Sequence, residues 1–372
     1  MLGNDNLYNN FYEHRSRFRP ECFSEWDDAV RKGKSSGYYE PEDLSGIIEA
    51  YLSDYDCKRA RQAIEYALRL HANNEDLVGE ILILLNEHEL WNDLLALCDR
   101  YKDTADVWSN GHRLTSLLHL GMEEDAFNFF VTLKYKYAGD DEALNTIYMI
   151  MGEVLFETDL FESAIEVVRE AIAITGESID YDWLLLQSYA ALLKKEKVSK
   201  IADKIQKTDP LNAESWYRMG VAFQQIDDIG KAIDCFEYAH SLEPTSTNNI
   251  LNLVYAYAKN GNHGKALEKI HDLTLLYPDS CAINILASKI CAQVEHWEDA
   301  LQMETALKYI NDAIKFAPEM DELYLYKSSF FKHLGEYRKA KSALKDGIEQ
   351  TDDPDGYLAR ELTRLNEKYP DY

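Results

Sequence analysis

The sequence predicts an all-α protein, an α-α superhelix built from helical hairpins, and three observations lead to it. Only 17 Gly and 8 Pro stand among 372 residues, too little turn material for a fold made of many hairpin strands. Ala, Leu, Glu and Lys recur in runs whose apolar residues fall three and four apart, the period of an amphipathic helix. The third observation is self-similarity at 34 residues. Trp216, Gly220, Phe223, Ala232, Phe236, Ala239 and Pro244 form one ordered set, and a shift of 34 gives Ile250, Val254, Tyr257, Ala266, Ile270, Leu273 and Pro278. A helix starts at Asn212 or Ala213, Asp227 to Gly230 breaks it, and Pro244 closes a second helix that it cannot continue. One such hairpin buries too little apolar surface to stand alone, so its neighbours must complete the core.

In these residues the chain resembles the tetratricopeptide repeat (TPR) family. Its W-x2-L-G-x2-Y…A-x3-F-x2-A…P pattern is carried here by Trp216, Met219, Gly220, Phe223, Ala232, Phe236, Ala239 and Pro244. Gly220 and Ala232 are small where two helices must cross closely, and Trp216, Phe223 and Phe236 fill the wider gaps around the crossing. Tracing the central small residue gives Ala60, Leu94, Ala126, Ala164, Val198, Ala232, Ala266, Ala306 and Ala340, with spacings 34, 32, 38, 34, 34, 34, 40 and 34. About nine repeats follow, over 41–74, 75–106, 107–144, 145–178, 179–212, 213–246, 247–280, 281–320 and 321–354, with capping helices at both ends.

From the N-terminus, residues 1–40 mix Tyr8, Phe11, Tyr12, Phe18, Phe23 and Trp26 with Arg15, Arg17, Arg19, Arg31, Lys32 and Lys34. One reading is a cap in which Phe23, Trp26 and Val30 pack on the first repeat; the other is a basic-aromatic arm that docks elsewhere. The second repeat has Leu94 and Cys98 in place of small and aromatic residues, and the third shows no Gly at the close-packing position between Trp108 and Leu120. Altered hairpin angles are expected there. Gly152, Phe161, Ala164 and Ala171 mark the fourth repeat, and Tyr189 and Pro210 the fifth. The eighth has six residues in excess, since Ala300 or Ala306 can hold the crossing, which implies a longer helix or a longer turn. In 355–372, Leu358, Leu362, Leu365 and Tyr369 share one helix face that should cover the last repeat, with Glu361, Arg364 and Glu367 turned to water.

Charge and composition narrow the function. The formal charge is −27, from 39 Lys and Arg against 66 Asp and Glu, so nucleic-acid and anionic-membrane binding would need a basic stripe that the sequence does not supply. Much of that charge sits at helix starts, as in Glu42-Asp43, Glu75-Asp76, Asp141-Glu142, Asp180 with Asp182, and Asp321-Glu322, where the macrodipole favours it. The net field favours apolar or basic partners over acidic ones. Cys22, Cys57, Cys98, Cys235, Cys281 and Cys291 form no CxxC pair and are expected to be reduced core thiols. With the polar start Met1 to Asn10 unlike a signal peptide and no apolar run of roughly 20 residues, a cytoplasmic location is expected.

The usual catalytic and metal-binding signatures are missing or fail on geometry. GxSxG, Walker A, HExxH and GxGxxG motifs do not occur. Glu87-His88-Glu89 cannot converge, because consecutive helical residues point about 100° apart. His112 and His119 lie about 10.5 Å apart along a helix, too far to share a zinc ion. A calcium loop begun at Thr351 would place Asp353, Asp355 and Gly356 suitably, but Leu362 falls where the bidentate Glu is required. No cofactor, no metal and no enzyme activity are therefore expected; the competing readings are a regulatory subunit or enzyme with a site assembled across repeats, and an RNA-binding helical repeat.

The binding surface is expected on the first helix of each repeat. There the core takes Trp216, Met219, Gly220 and Phe223, leaving a stripe at Glu214, Tyr217, Val221 and Gln224. The family resemblance implies that this stripe lines a concave surface and binds peptides. Across repeats it carries Met149, Glu153 and Phe156; Trp183 and Gln187; Tyr217 and Val221; Leu251 and Tyr255; Ile285 and Lys289; Leu325 and Ser329. Packing between repeats competes for the same residues. The family's Lys/Asn/Arg clamp for C-terminal carboxylates is missing, apart from Asn252 and Arg218 on adjacent faces, so an apolar peptide or amphipathic helix suits the stripe better. The expected partner is thus a protein or peptide, apolar or basic rather than acidic.

Overall fold

The computed structural model describes residues 20–32, 37–71, 73–277, 280–291, 300–351 and 356–370, with the side chains of 281 and 300–302 outside that description. Among the described residues there are twenty helices and no strand. They belong to two compact units, Met1–Ser188 and Tyr189–Tyr372, the division falling within one helix.

The first unit begins with α1 (Phe23–Arg31) and continues as successive pairs: α2 (Pro41–Ser53) with α3 (Cys57–Leu70), α4 (Glu75–Glu87) with α5 (Trp91–Arg100), α6 (Val107–His119) with α7 (Glu123–Lys136), and α8 (Asp141–Glu157) with α9 (Phe161–Thr175). Helix α10 (Ile179–Ala191) is followed by α11 (Lys195–Thr208). The second unit then pairs α12 (Ala213–Gln225) with α13 (Ile229–Leu242), α14 (Thr247–Lys259) with α15 (His263–Leu276), α16 (Cys281–Cys291) with α17 (Ala300–Phe316), and α18 (Asp321–His333) with α19 (Tyr337–Thr351), before α20 (Tyr357–Lys368). Within each unit, packing runs chiefly between a helix and the next one or two in the chain, as in a solenoid.

The nine central small residues are each only 0 or 1% exposed, Leu94 and Val198 included. Each is the fourth residue of its helix except Ala306, the seventh of α17. Part of the six-residue excess therefore lengthens that helix; the turn before it, 292–299, lies outside the described residues. In the third pair Leu114, fully buried, stands where α12 has Gly220, and α6 packs more extensively on α5 and α8 than on its own partner α7.

One regularity of the hairpins escapes the consensus pattern. In all eight described turns within pairs, one residue has positive φ: Tyr55, Glu89, Gly121, Asp159, Leu193, Asp227, Gly261 and Gly335. The next residue donates its N–H to a carbonyl five residues back, as in Asp228 to Phe223 (2.9 Å), Asn262 to Tyr257 (2.8 Å) and Glu336 to Phe331 (2.9 Å). This is the 6→1 closure of a helix C-terminus, which satisfies a carbonyl that the helix leaves unpaired. Helix starts are capped with similar economy. Asp56, Asn74, Asp106, Asp140, Asn212, Asp228 and Asn262 each accept a first-turn N–H, and after Asn74, Asp140 and Asn212 acidic residues in the first turn also face the dipole.

The crossing of α12 and α13 shows why its glycine is required. A Cβ on Gly220 would lie 2.5 Å from Phe236 Cε1, and Phe236 is fully buried. Gly220→Ala gains about 1 kcal/mol of helix propensity but overpacks the crossing by about 1–3 kcal/mol. A net loss in urea-unfolding midpoint is expected; a higher midpoint would show that the ring has room to move. Trp216 is half-buried, its ring 4.2 Å from Tyr238 and its indole N–H donated to the Pro210 carbonyl at 2.8 Å.

At the N-terminal end Phe23 and Trp26 are 8 and 3% exposed and join the core of α2 to α5, with Val30 half-buried against it. Trp26 meets Tyr39 and Tyr66 edge-on at 5.2 and 4.9 Å, and Tyr51 donates to Asp27 at 2.8 Å. Phe11, Arg15, Arg17 and Lys34 lie outside the described residues. At the other end Leu358 and Leu365 are 1 and 4% exposed, with Leu362 and Tyr369 packed beside them. Arg364 and Glu367 face water as expected, but Glu361 does not: it is half-buried and 3.3 Å from Lys332 of α18. The expectation treated α20 as a two-sided helix, whereas it meets both α18 and α19 and so has a wider covered face.

Candidate functional site

Positions on the first helices divide by burial. In the first unit Trp183 is only 8% exposed, so most of its ring is taken up by packing, while Gln187, Met149 and Phe156 are half-buried. Phe156 packs at 5.4 Å on Phe161, which opens α9. Glu153 stays exposed.

In the second unit Tyr217, Leu251, Tyr255, Ile285 and Lys289 are all half-buried, and Val221 is 40% exposed. Helix α12 packs beside α14, and Asn252 of α14 donates its amide to the Tyr217 hydroxyl at 3.1 Å while also reaching the Asn248 carbonyl at 3.1 Å. This link fixes the tyrosine's polar tip and leaves the ring edge-tilted toward Phe236 at 6.0 Å. The two residues that hinted at a carboxylate clamp are engaged within the chain: Asn252 as just described, and Arg218 with Glu214 at 2.9 Å. Ile285 also contributes to the small core of Ala313, Ala317 and Leu323, and Leu325 to that of the C-terminal pairs.

Further along, α16, α18 and α20 flank a shallow, open pocket of about 320 Å³ lined by Lys289, Leu325, Tyr326, Ser328, Ser329, Lys332, Tyr357 and Glu361. Three stripe residues, Lys289, Leu325 and Ser329, thus come together at one place. Tyr357, Glu361 and Lys332 were not singled out by the stripe, because their contribution depends on how α20 lies against α18. A 34-residue register cannot show that, since α20 stands outside it.

No group of three or more His, Cys, Asp or Glu that could hold a metal occurs among the described residues. The acidic run 352–355 lies outside them. Glu87 and Glu89 are exposed, and His119 stacks on Trp91 at 4.0 Å with Glu157 3.5 Å away. Cys98 and Cys235 are free thiols that burial pushes up to about 12, Cys291 is pushed up for the same reason, and Cys22 and Cys57 are free as well. A thiol held protonated is a poor nucleophile. No described helix is long and apolar enough to cross a membrane.

Comparison with known proteins agrees with the hairpin geometry. Residues 213–246 match the family model described as "Tetratricopeptide repeat". Superkiller protein 3 of Schizosaccharomyces pombe is 22% identical over 237 residues, covering 61% of this chain and 17% of that protein. The anaphase-promoting complex subunit CDC16 of Saccharomyces cerevisiae is 19% identical over 312 residues, covering 80% of this chain and 35% of that protein. The chain thus spans well under two thirds of either relative's length. Among solved structures, Pseudomonas aeruginosa PilF aligns over 60% of this chain and 99% of its own, at 14% identity and TM-score 0.41. A tetratricopeptide repeat protein from Parabacteroides merdae aligns over 74% of this chain and 98% of its own, at 14% identity and TM-score 0.41.

Proposed function

We propose that this chain, a tetratricopeptide-repeat protein and so of a family of protein-interaction scaffolds, is a non-catalytic scaffold that holds a peptide or amphipathic helix of a partner protein on its first-helix stripe. The observation that carries the reading is the adjacency of α12 and α14, which sets Tyr217 and Val221 beside Leu251 and Tyr255 as half-exposed, mostly apolar side chains on packed neighbours. Aromatic rings with a polar tip bury area at low entropic cost, so they serve well as anchors. Ile285 and Lys289 extend the stripe within this unit, and Trp183 with Gln187 offer a smaller surface on the other. A net charge of −27 favours an apolar or basic ligand at long range. One relative is by its name a subunit of a multiprotein complex, which accords with protein partners. We place this activity in the cytoplasm.

The test compares affinity purification on wild type with the same on Tyr217→Ala and Tyr255→Ala, followed by calorimetry with the partner recovered only by wild type. Each substitution is expected to weaken binding by about 2 kcal/mol, roughly 30-fold. Melting temperature should hold, since Asn252 keeps its bond to the Asn248 carbonyl when Tyr217 is lost. Equal affinity in both variants, with the fold intact, moves the interface off these helices.

A further inference from the structure

Helix α11 reverses the sign of the chain's charge. Between 194 and 208 six lysines stand against two acids, a local charge of +4 in a chain of −27. Lys197, Lys200, Lys204 and Lys207 follow at intervals of three, four and three, which sets them along one face of the helix over about 15 Å. Lys197, Lys200 and Lys207 are exposed, and none of the three makes an ion pair among the described residues. Cations on α3, α7 and α15 are instead tied to acids of a neighbouring second helix: Arg61 to Asp93 at 2.8 Å, Lys134 to Glu170 at 2.7 Å and Lys265 to Glu237 at 3.2 Å. The start of α11 also runs against the macrodipole, for Lys194 is an N-cap without a side-chain bond, and Lys195 and Lys197 stand in the first turn. This arrangement costs helix stability, and a chain already at −27 does not need it for solubility. Exposed leucines bracket the row: Leu193, 61% exposed and held at positive φ in the turn before it, and Leu211, 76% exposed, just past its end.

We infer that this row docks a short acidic helix of a partner protein, with carboxylates at the same three- and four-residue spacing and an apolar residue toward each end. Each exposed ion pair adds little by itself, so affinity depends on several carboxylates meeting the row in register. The surroundings favour a short ligand over an extended polyanion. Lys231 of α13 donates to the Ser199 hydroxyl of α11 at 3.1 Å, which sets α13 beside α11, and α13 presents exposed Asp234 and Glu237. Glu196 and Asp203 lie exposed on α11 itself. A nucleic-acid strand or an anionic bilayer would run past about 15 Å of lysine onto these acids, whereas a few turns of acidic helix would not. The charge of the whole chain hides this surface, because its sign is local. The inference goes beyond the first-helix stripe, which lies on other helices, and stands or falls separately from it.

The test titrates the full chain, calorimetrically and by NMR, with four probes: a helical peptide carrying four Glu at intervals of three, four and three with a Leu at each end, the same composition scrambled over the helix surface, a single-stranded oligonucleotide, and phosphatidylserine vesicles. The first peptide is expected to bind, to perturb 194–208 and to weaken as salt rises, with the other probes each weaker by roughly tenfold or more. Lys200→Glu combined with Lys207→Glu should lose roughly tenfold or more in affinity for that peptide. Lys195→Glu combined with Lys197→Glu should weaken binding too, while the melting temperature stays level or rises, since acids in the first turn suit the dipole. Tyr217→Ala, which disables the proposed peptide stripe, should leave binding of the acidic peptide unchanged. The proposal is overturned if the peptide does not bind, if the scrambled peptide, the oligonucleotide or the vesicles bind as tightly, if charge reversal retains full affinity, if Tyr217→Ala abolishes binding, or if the row instead mediates salt-sensitive self-association of the chain.

Discussion

Phe236→Ala is expected to cost the unit Tyr189–Tyr372 about 3–5 kcal/mol, the usual penalty for deleting a fully buried aromatic ring. The ring is 0% exposed and fills the space that Gly220 leaves open, and its backbone carbonyl accepts the Asn249 amide of the next pair at 3.0 Å. Truncation therefore opens a cavity at the α12–α13 crossing and loosens the junction to α14. Hydrogen exchange should rise first in 213–259, because stability in a repeat array is a sum of local and nearest-neighbour terms. A double-mutant cycle tests the same crossing from its other side. With the ring gone, Gly220→Ala no longer overpacks anything and keeps only its helix-propensity gain of about 1 kcal/mol. Its effect should change sign between the two backgrounds, a coupling of about 1 kcal/mol or more. An unchanged cost for Gly220→Ala in the Phe236→Ala background would show that the glycine serves some other contact.

Removal of α20 is the second change with a large expected effect. Leu358 and Leu365 are almost wholly buried, and each contributes about 1.5–3 kcal/mol by burial. A Cβ on Gly347 of α19 would lie 2.7 Å from Leu358 Cδ1, so the two helices are in close contact there. Lys341, 7% exposed, donates to the Tyr369 carbonyl at 2.6 Å, and Tyr369 stacks on Tyr337 at 3.7 Å. Deleting 356–372 uncovers Phe330, Leu344 and Ala340 and removes the carbonyl that Lys341 binds. Amide protection in α18 and α19 should fall and the chain should self-associate, while 41–188 keeps wild-type protection. Undiminished protection over 321–351 would end the capping role for this helix.

What the sequence shows clearly is what repeats. Alanine recurs at seven of the nine positions from Ala60 to Ala340 because each sits buried where two helices cross and a small side chain lets them approach, with Leu94 and Val198 as the bulkier exceptions. The hairpin turns are less legible, although equally regular. Their positive-φ residue is Gly at three sites but Tyr, Glu, Asp or Leu at the other five, where the 6→1 closure imposes the conformation against residue preference. Buried amides on the first helices are likewise hidden. Asn249 and Asn252 read as polar surface until Phe236 and Tyr217 of the previous pair are placed opposite them. Residues of the open pocket divide along the same line. Lys289, Leu325 and Ser329 are visible from the register, whereas Tyr357 and Glu361 belong to a helix outside it, and only the packing of α20 brings them in.

Packing confined to the next one or two helices also sets how such a chain answers tension. Among the described residues, a force drawn between the ends of either unit meets no extensive helix packing that ties one end to the other, so it loads one hairpin interface at a time. Each hairpin that gives way frees some 34 residues, about 110–120 Å of fully drawn-out chain, while its neighbours stay folded. The force–extension curve should then be a series of small similar steps in place of a single rupture. A scaffold of this kind yields by lengthening, and it recovers by refolding onto the hairpins that stayed in place.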